Sequence, residues 1–185
     1  NFLAIISSVT LGMALLKRAT GEINGFVVEL PVAGGHNAPP RGKLQLDGAG
    51  EPIYGPRDEV DLEKIAALGK PFWVAGSFAY PGRLREVLAI GGQGIQVGTA
   101  FAFCEESGLD PALRAEALRQ VRAGELDVYT DPVASPTGFP FKVVQMEGTL
   151  AHQEQYRERP RVCNLGYLRT VYRREDGTVD YRCAS

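Results

Sequence analysis

Four short apolar runs, at residues 3–9, 26–30, 71–75 and 94–97, constrain this chain more than any other feature. Each is continuous rather than alternating, the pattern of a strand buried on both faces, and such strands belong to parallel sheets covered by helices. An amphipathic segment follows each run. In the first, Leu11, Ala14 and Leu15 share a face within residues 10–19, and Gly21 stops the pattern. In the second, Asp61 is a suitable N-cap, Leu62, Ile65 and Leu68 form the apolar stripe, and Gly69 ends it. The third sets Leu84, Val87 and Leu88 ahead of Gly91-Gly92. The fourth has Asp110 as cap, Pro111 in the first turn, and Leu113, Ala117, Leu118 and Val121 facing inward before Gly124. Four β-α units in succession imply an α/β fold with helices packed on a parallel sheet.

The first two runs and the last two share one tight spacing, whereas the connection from Phe26 to Phe72 carries about one module's worth of extra chain. Within it, Lys43-Leu44-Gln45-Leu46 and Pro52-Ile53-Tyr54 flank Gly48-Ala49-Gly50. Alternation around a glycine turn predicts a small hairpin at residues 43–54, inserted in a loop that leads from a strand to its helix. In α/β barrels such loops form the catalytic face. Residues 125–185 are rich in Pro, Arg and Tyr and keep no clean period. The expected division is therefore a β-α body over residues 1–124 and a C-terminal extension over 125–185 that packs on it.

Composition narrows the function. A chain of 185 residues with 44% hydrophobic side chains can bury one ordinary core. A formal charge of −2 gives no basic footprint for nucleic acid. The apolar runs fall far short of the ~20 residues needed to span a bilayer. The opening residues 1–6 lack a basic n-region and read as a strand, not a signal peptide. Three cysteines are too few for a disulfide scaffold, which makes a reducing, cytoplasmic setting the default. The chain has no initiator Met and opens directly on a strand pattern, so it reads like a fragment.

The chemistry-bearing motifs cluster where the runs end. After the second run stands Gly34-Gly35-His36-Asn37-Ala38-Pro39-Pro40-Arg41-Gly42. Paired glycines let backbone approach a planar or phosphorylated ligand, and a His at a strand's C-terminal end sits where barrels keep their chemistry. A plain turn with a polar side chain explains the same residues equally well. The third run closes on Val74-Ala75-Gly76-Ser77-Phe78, and the fourth on Gln96-Val97-Gly98-Thr99-Ala100-Phe101. Bare N–H groups and hydroxyl donors on consecutive strand ends, near a helix N-terminus, suit a phosphate. Glycine at one strand end is common punctuation, and it is the pairing of the two that favours a phosphate ligand. The remaining candidates are weaker. Cys104 is expected as a buried apolar filler. Cys163 and Cys183 make half a zinc site at most. Arg157, Arg159 and Arg161 are expected on a solvated surface, and His152 lies in a polar stretch.

Taken together, Gly34-Gly35-His36, Val74-Ala75-Gly76-Ser77 and Gln96-Val97-Gly98-Thr99-Ala100-Phe101 resemble the nitronate monooxygenase family, formerly called 2-nitropropane dioxygenases. The FMN-dependent enoyl-acyl-carrier-protein reductases share this barrel and these motifs. The resemblance covers roughly residues 3–140, including Ser135-Pro136-Thr137-Gly138. It implies the C-terminal half, strands five to eight, of a (β/α)₈ TIM barrel whose first four strands are missing. It further implies FMN as cofactor. Glu29, Gly34 and Gly35 would lie beside the flavin, Gly76, Ser77, Gln96, Val97, Gly98 and Thr99 would hold its phosphate, and His36 would be the catalytic base. The expected reaction is oxidation of an alkyl nitronate with O₂, His36 taking the acidic α-proton of a nitroalkane before electrons pass to FMN. One alternative is an NAD(P)H-dependent enoyl-thioester reductase. Another is a barrel fragment that binds flavin or phosphate without turnover. Three residues depart from the family pattern: Glu29 stands where many monooxygenases carry Gln, Asn37 opens a longer loop, and Ser77 replaces a glycine.

Overall fold

The computed structural model describes residues 1–135, 137–160 and 169–183. β1 (Leu3–Ile6) leads through α1 (Val9–Arg18) to β2 (Gly25–Glu29). A long loop with one 3₁₀ turn at Pro56–Asp58 then leads to α2 (Leu62–Ala66) and β3 (Phe72–Ala75). α3 (Arg83–Ala89), β4 (Gly94–Gln96), the single turn α4 (Thr99–Ala102) and α5 (Pro111–Ala123) complete the β-α run. β1 to β4 form one parallel sheet in sequential order. Its register aligns Ile6, Val28, Val74 and Ile95 in a row across the sheet, and Glu29, Ala75 and Gln96 in another at the C-terminal edge.

The core lies on one face of this sheet. Ile6, Phe26, Val28, Phe72 and Val74 are buried against Ile23, Ile65 and Val87, with Leu15, Leu68 and Ile90 packed around them. The other face is also apolar but stays open: Leu3 and Ile5 are exposed, and Val27 and Trp73 only half-buried. Burial on both faces, which the continuous runs predict, is therefore met on one face alone.

The helix signals hold at the caps and fail partly on the faces. Ser8 accepts from Leu11 N, Asp61 from Lys64 N, and Asp110 from Ala112 N and Leu113 N. The inward residue of α1, however, is Gly12, while Leu11 is exposed. A Cβ on Gly12 would lie 2.9 Å from Leu68 Cδ1 and 3.2 Å from Ile6 Cδ1, so the missing side chain is what lets α1 lie close on the sheet. In α3 only Val87 is buried, and in α5 only Ala117. Leu84, Leu88, Leu113 and Val121 face solvent rather than the core.

The extension is more regular than its sequence suggests. β5 (Val128–Asp131) pairs antiparallel with β6 (Phe141–Val144), α6 (Gln153–Glu158) follows, and β7 (Arg169–Arg173) pairs antiparallel with β8 (Val179–Cys183). Their residues are mostly exposed or half-buried, and strands without a buried face leave no burial period to read. Cys163 and Arg161 lie outside the described residues, as does Leu165-Gly166-Tyr167; Cys183 ends β8. Cys104 is half-buried, its thiol donating to Phe101 O at 3.0 Å, so it is not the fully buried filler expected.

The inserted hairpin is present in minimal form. Leu46 bridges Pro52, Ile53 N donates to Gln45 O, and Asp47 Oδ1 closes the turn by accepting from Ala49 N and Glu51 N. No helix among the described residues is long and apolar enough to cross a membrane.

Candidate functional site

The C-terminal edge of the sheet collects most of the candidate residues, because every parallel strand delivers its following loop to the same edge. Glu29 ends β2 at this edge and is half-buried. Burial pushes its carboxyl above the usual glutamate range, and the nearby His36 pulls it partly back. Glu29 lines a cleft of ≈340 Å³ whose other walls include Ser7 and Ser8 after β1, Arg41, Tyr54 from the hairpin, and Phe139 from the extension.

Beyond Glu29 the chain turns at residues 30–35, with Ala33 N donating to Leu30 O. It then runs alongside the extension. Asn37 N donates to Pro140 O and Lys142 N to Gly35 O, bracketing a bridge between His36 and Phe141. The exposed His36 is thereby fixed from behind. Its ring stands edge-on to Phe141, centroids 4.7 Å apart and 88° between planes. Nε2 lies 2.6 Å from Oγ of the buried Ser135. Ser135 Oγ in turn lies 2.6 Å from Thr137 Oγ1 and accepts from Thr137 N at 3.3 Å.

Asn37, next to His36, is almost fully buried. Its Nδ2 donates to Pro31 O and to the Tyr54 hydroxyl, which donates onward to Ala38 O. Asn37 Oδ1 is buried with no hydrogen-bond partner among the described residues. Burial chiefly raises the Tyr54 phenol, the Asn37 hydrogen bond opposes this, and the charges of Asp58 and Glu29 add to the rise. Asp58 holds the loop between them: its carboxylate accepts from Arg41 N at 2.7 Å and Gly55 N at 2.8 Å. Arg41 also reaches Ser7 O at 2.8 Å.

The glycine motifs occupy the same edge, nearer β3 and β4. Gly76 has φ of 120°, and Ser77, at φ 56°, is the one non-glycine residue with positive φ among those described. Such a backbone costs of order 1–3 kcal/mol and is found where the surroundings demand it. The Ser77 hydroxyl donates to Val32 O at 3.4 Å. A Cβ on Gly76 would lie 3.3 Å from Ala33 N, and one on Gly34 would lie 3.7 Å from Thr99 Oγ1. The loop at 30–35 thus touches both strand ends. Among the described residues, the backbone N–H groups of Gly34, Gly35, Gly76, Ser77, Gly98 and Thr99 donate to no protein acceptor. A Cβ at Gly98 would meet nothing within 4 Å. Because α4 is a single turn, its dipole is small, and any anion here would rest on these donors themselves. Gln96 is exposed and Val97 half-buried.

The sequence candidates therefore meet along one edge. His152 is not among them: it precedes α6 as its N-cap. Ser135, Tyr54 and Arg41 are members that spacing alone does not single out, since their partners lie 16 to 99 residues away in the chain, and Thr137 joins the site only through Ser135, two residues before it. Comparison with protein-family models finds no match to this chain, and comparison with curated proteins finds none either.

Proposed function

We propose that this chain is the C-terminal half of an FMN-dependent (β/α)₈ barrel oxidoreductase of the nitronate monooxygenase type, with His36 as base. The observation that carries the reading is the concentration of unused donors beside a fixed imidazole. The backbone N–H groups of Gly76, Ser77, Gly98 and Thr99, which follow β3 and β4, fit a phosphate together with the Thr99 hydroxyl, and those of Gly34 and Gly35 are free for the flavin beside it. The barrel assignment is supported by the sequential parallel sheet, whose second face is apolar and uncovered, as an inward barrel face would be without its other strands.

FMN, when bound, would supply the electron-accepting chemistry. The chain's residues have separate tasks. Gly76, Ser77, Gln96, Val97, Gly98 and Thr99 would grip the phosphate, and Glu29, Gly34 and Gly35 would lie beside the flavin. His36, exposed beside the cleft that Glu29, Tyr54 and Phe139 line, would accept the α-proton of a nitroalkane. O₂ would be the final oxidant.

Glu29 and the size of the cleft favour a second reading, NAD(P)H-dependent reduction of an enoyl thioester. Burial shifts the half-buried Glu29 carboxyl toward its neutral form, the form that can donate a hydrogen bond to a carbonyl, and ≈340 Å³ exceeds what a small nitroalkane fills. The test is to express the chain with its complementary barrel strands, record the visible spectrum, and assay O₂ uptake with a nitronate and NAD(P)H oxidation with a crotonyl thioester. Flavin absorbance with nitronate turnover supports the leading reading, and thioester-dependent oxidation the second. Flavin without either turnover leaves a binding role, and absence of flavin refutes all three.

A further inference from the structure

Ser135 can accept a hydrogen bond from His36 only if its own hydrogen points elsewhere, and Thr137 offers that place. Ser135 Oγ has one hydrogen and two lone pairs. It faces three groups: His36 Nε2 at 2.6 Å, Thr137 Oγ1 at 2.6 Å and Thr137 N at 3.3 Å. Thr137 N must donate, which takes one lone pair. Two arrangements remain. In one, Ser135 donates to Nε2 and accepts from the Thr137 hydroxyl, so the neutral ring carries its proton on Nδ1. In the other, Nε2–H donates to Ser135, and Ser135 donates to Thr137 Oγ1. Nδ1 then bears the free lone pair.

We propose that Ser135 and Thr137 are positioning residues that hold His36 in the second arrangement and make Nδ1 the nitrogen that takes a proton. The inference rests on the reading of His36 as a base, and three features of the site carry it. Nε2 is covered by a buried side chain, so a substrate can reach only Nδ1. After proton uptake, Nε2–H must donate to Ser135 in any case, so the second arrangement needs no hydrogen to turn over as the ring becomes charged. Thr137 is exposed, so its own hydroxyl hydrogen can go to water while its oxygen accepts from Ser135. Phe141 fixes the ring plane, and Glu29, whose carboxyl feels the charge of His36, shares no hydrogen bond with the ring among the described residues. The step balances: the substrate C–H proton moves to Nδ1, and the electron pair left on carbon delocalises into the nitro group as the nitronate.

The chain has two histidines, so ¹⁵N NMR of the ring nitrogens, with His152→Gln for assignment, reports on His36 directly. In the neutral ring, Nε2 is expected to be protonated and Nδ1 bare. Thr137→Val removes the acceptor for the Ser135 hydrogen, turns that hydrogen onto Nε2, and should invert the tautomer with little effect on folding at this exposed position. Ser135→Ala should give a mixed tautomer. In the flavin-loaded protein, Thr137→Val should slow turnover of a neutral nitroalkane about tenfold or more and spare the preformed nitronate. A wild-type ring protonated on Nδ1, or a tautomer that neither variant changes, overturns the proposal. The expected tautomers without nitroalkane turnover would uphold the positioning role and refute only the nitronate chemistry.

Discussion

Gly76 and Gly98 occupy equivalent places in their motifs, yet alanine should cost folding heavily at the first and leave it nearly unchanged at the second. At Gly76 two penalties combine. The backbone φ of 120° lies where L side chains rarely sit, a strain of ~1–3 kcal/mol. The new Cβ would also lie 3.0 Å from Leu30 Cβ, 3.2 Å from Val32 Cγ2 and 3.3 Å from Ala33 N. Leu30 Cβ and Ala33 N are fixed to the main chain and cannot rotate away, so overpacking adds another ~1–3 kcal/mol. Gly76→Ala should therefore cost about 2–6 kcal/mol, a large part of the stability of a typical domain. With a urea m-value of ~2 kcal/mol/M, the midpoint should fall by roughly 1–3 M. Gly98 has φ of −110° and open space around its Cβ, so Gly98→Ala should stay within ~0.5 kcal/mol of wild type. Both variants should lose flavin, Gly76→Ala because the loop at 30–35 moves and Gly98→Ala because the methyl intrudes on the ligand alone. Urea melts beside flavin content separate the effects. A Gly76→Ala midpoint equal to that of Gly98→Ala would refute the packing argument, and full flavin in Gly98→Ala would refute the phosphate assignment.

Asp58→Ala should cost ~2–3 kcal/mol, since it strips acceptors from two backbone donors, and hydrogen exchange should show lost protection at Arg41 and Gly55. Glu29 makes stability pH-dependent with a definite sign. Because its folded carboxyl titrates above the ordinary glutamate value, the folded state holds a proton that the unfolded chain has released. Stability should therefore be highest below the ordinary value and fall as pH rises toward the folded one. Glu29→Gln should flatten that slope in urea melts taken across the acid range. Asp110→Ala removes the acceptor for two first-turn N–H groups of α5 and should cost about 1 kcal/mol, read as a lower melting temperature.

The parts of this fold that can be read from sequence are those whose signals are local. Asp61 and Asp110 announce their helices because a cap bonds within three residues, and the four apolar runs announce strands because burial acts on each residue where it stands. What the sequence hides depends on partners far along the chain. Gly12 replaces Leu11 as the inward residue of α1 because Leu68 and Ile6 crowd that spot, and no helical period reveals crowding by a distant residue. β5 and β6 lack a buried face, so their pairing leaves no alternation. The site divides in the same way. Gly34, His36, Gly76 and Thr99 stand out in glycine-rich motifs that follow apolar runs, although a turn sets His36 seven residues past the end of β2, whereas Ser135 matters only because the Phe141 bridge carries the extension back to His36. Tyr54 likewise gains its place through Asn37, 17 residues away.

The central claim, that His36 is the base of a flavin site, is tested most directly by anaerobic bleaching of the flavin-loaded protein, comparing a neutral nitroalkane with its nitronate in wild type and His36→Ala. Wild type should lose its visible absorbance with either compound. His36→Ala should keep its flavin, bleach with the preformed nitronate, and respond to the neutral nitroalkane at least ~100-fold more slowly, since only that compound has a proton to remove. A protein that carries no flavin, or a His36→Ala variant that bleaches with the neutral compound at the wild-type rate, would contradict the account.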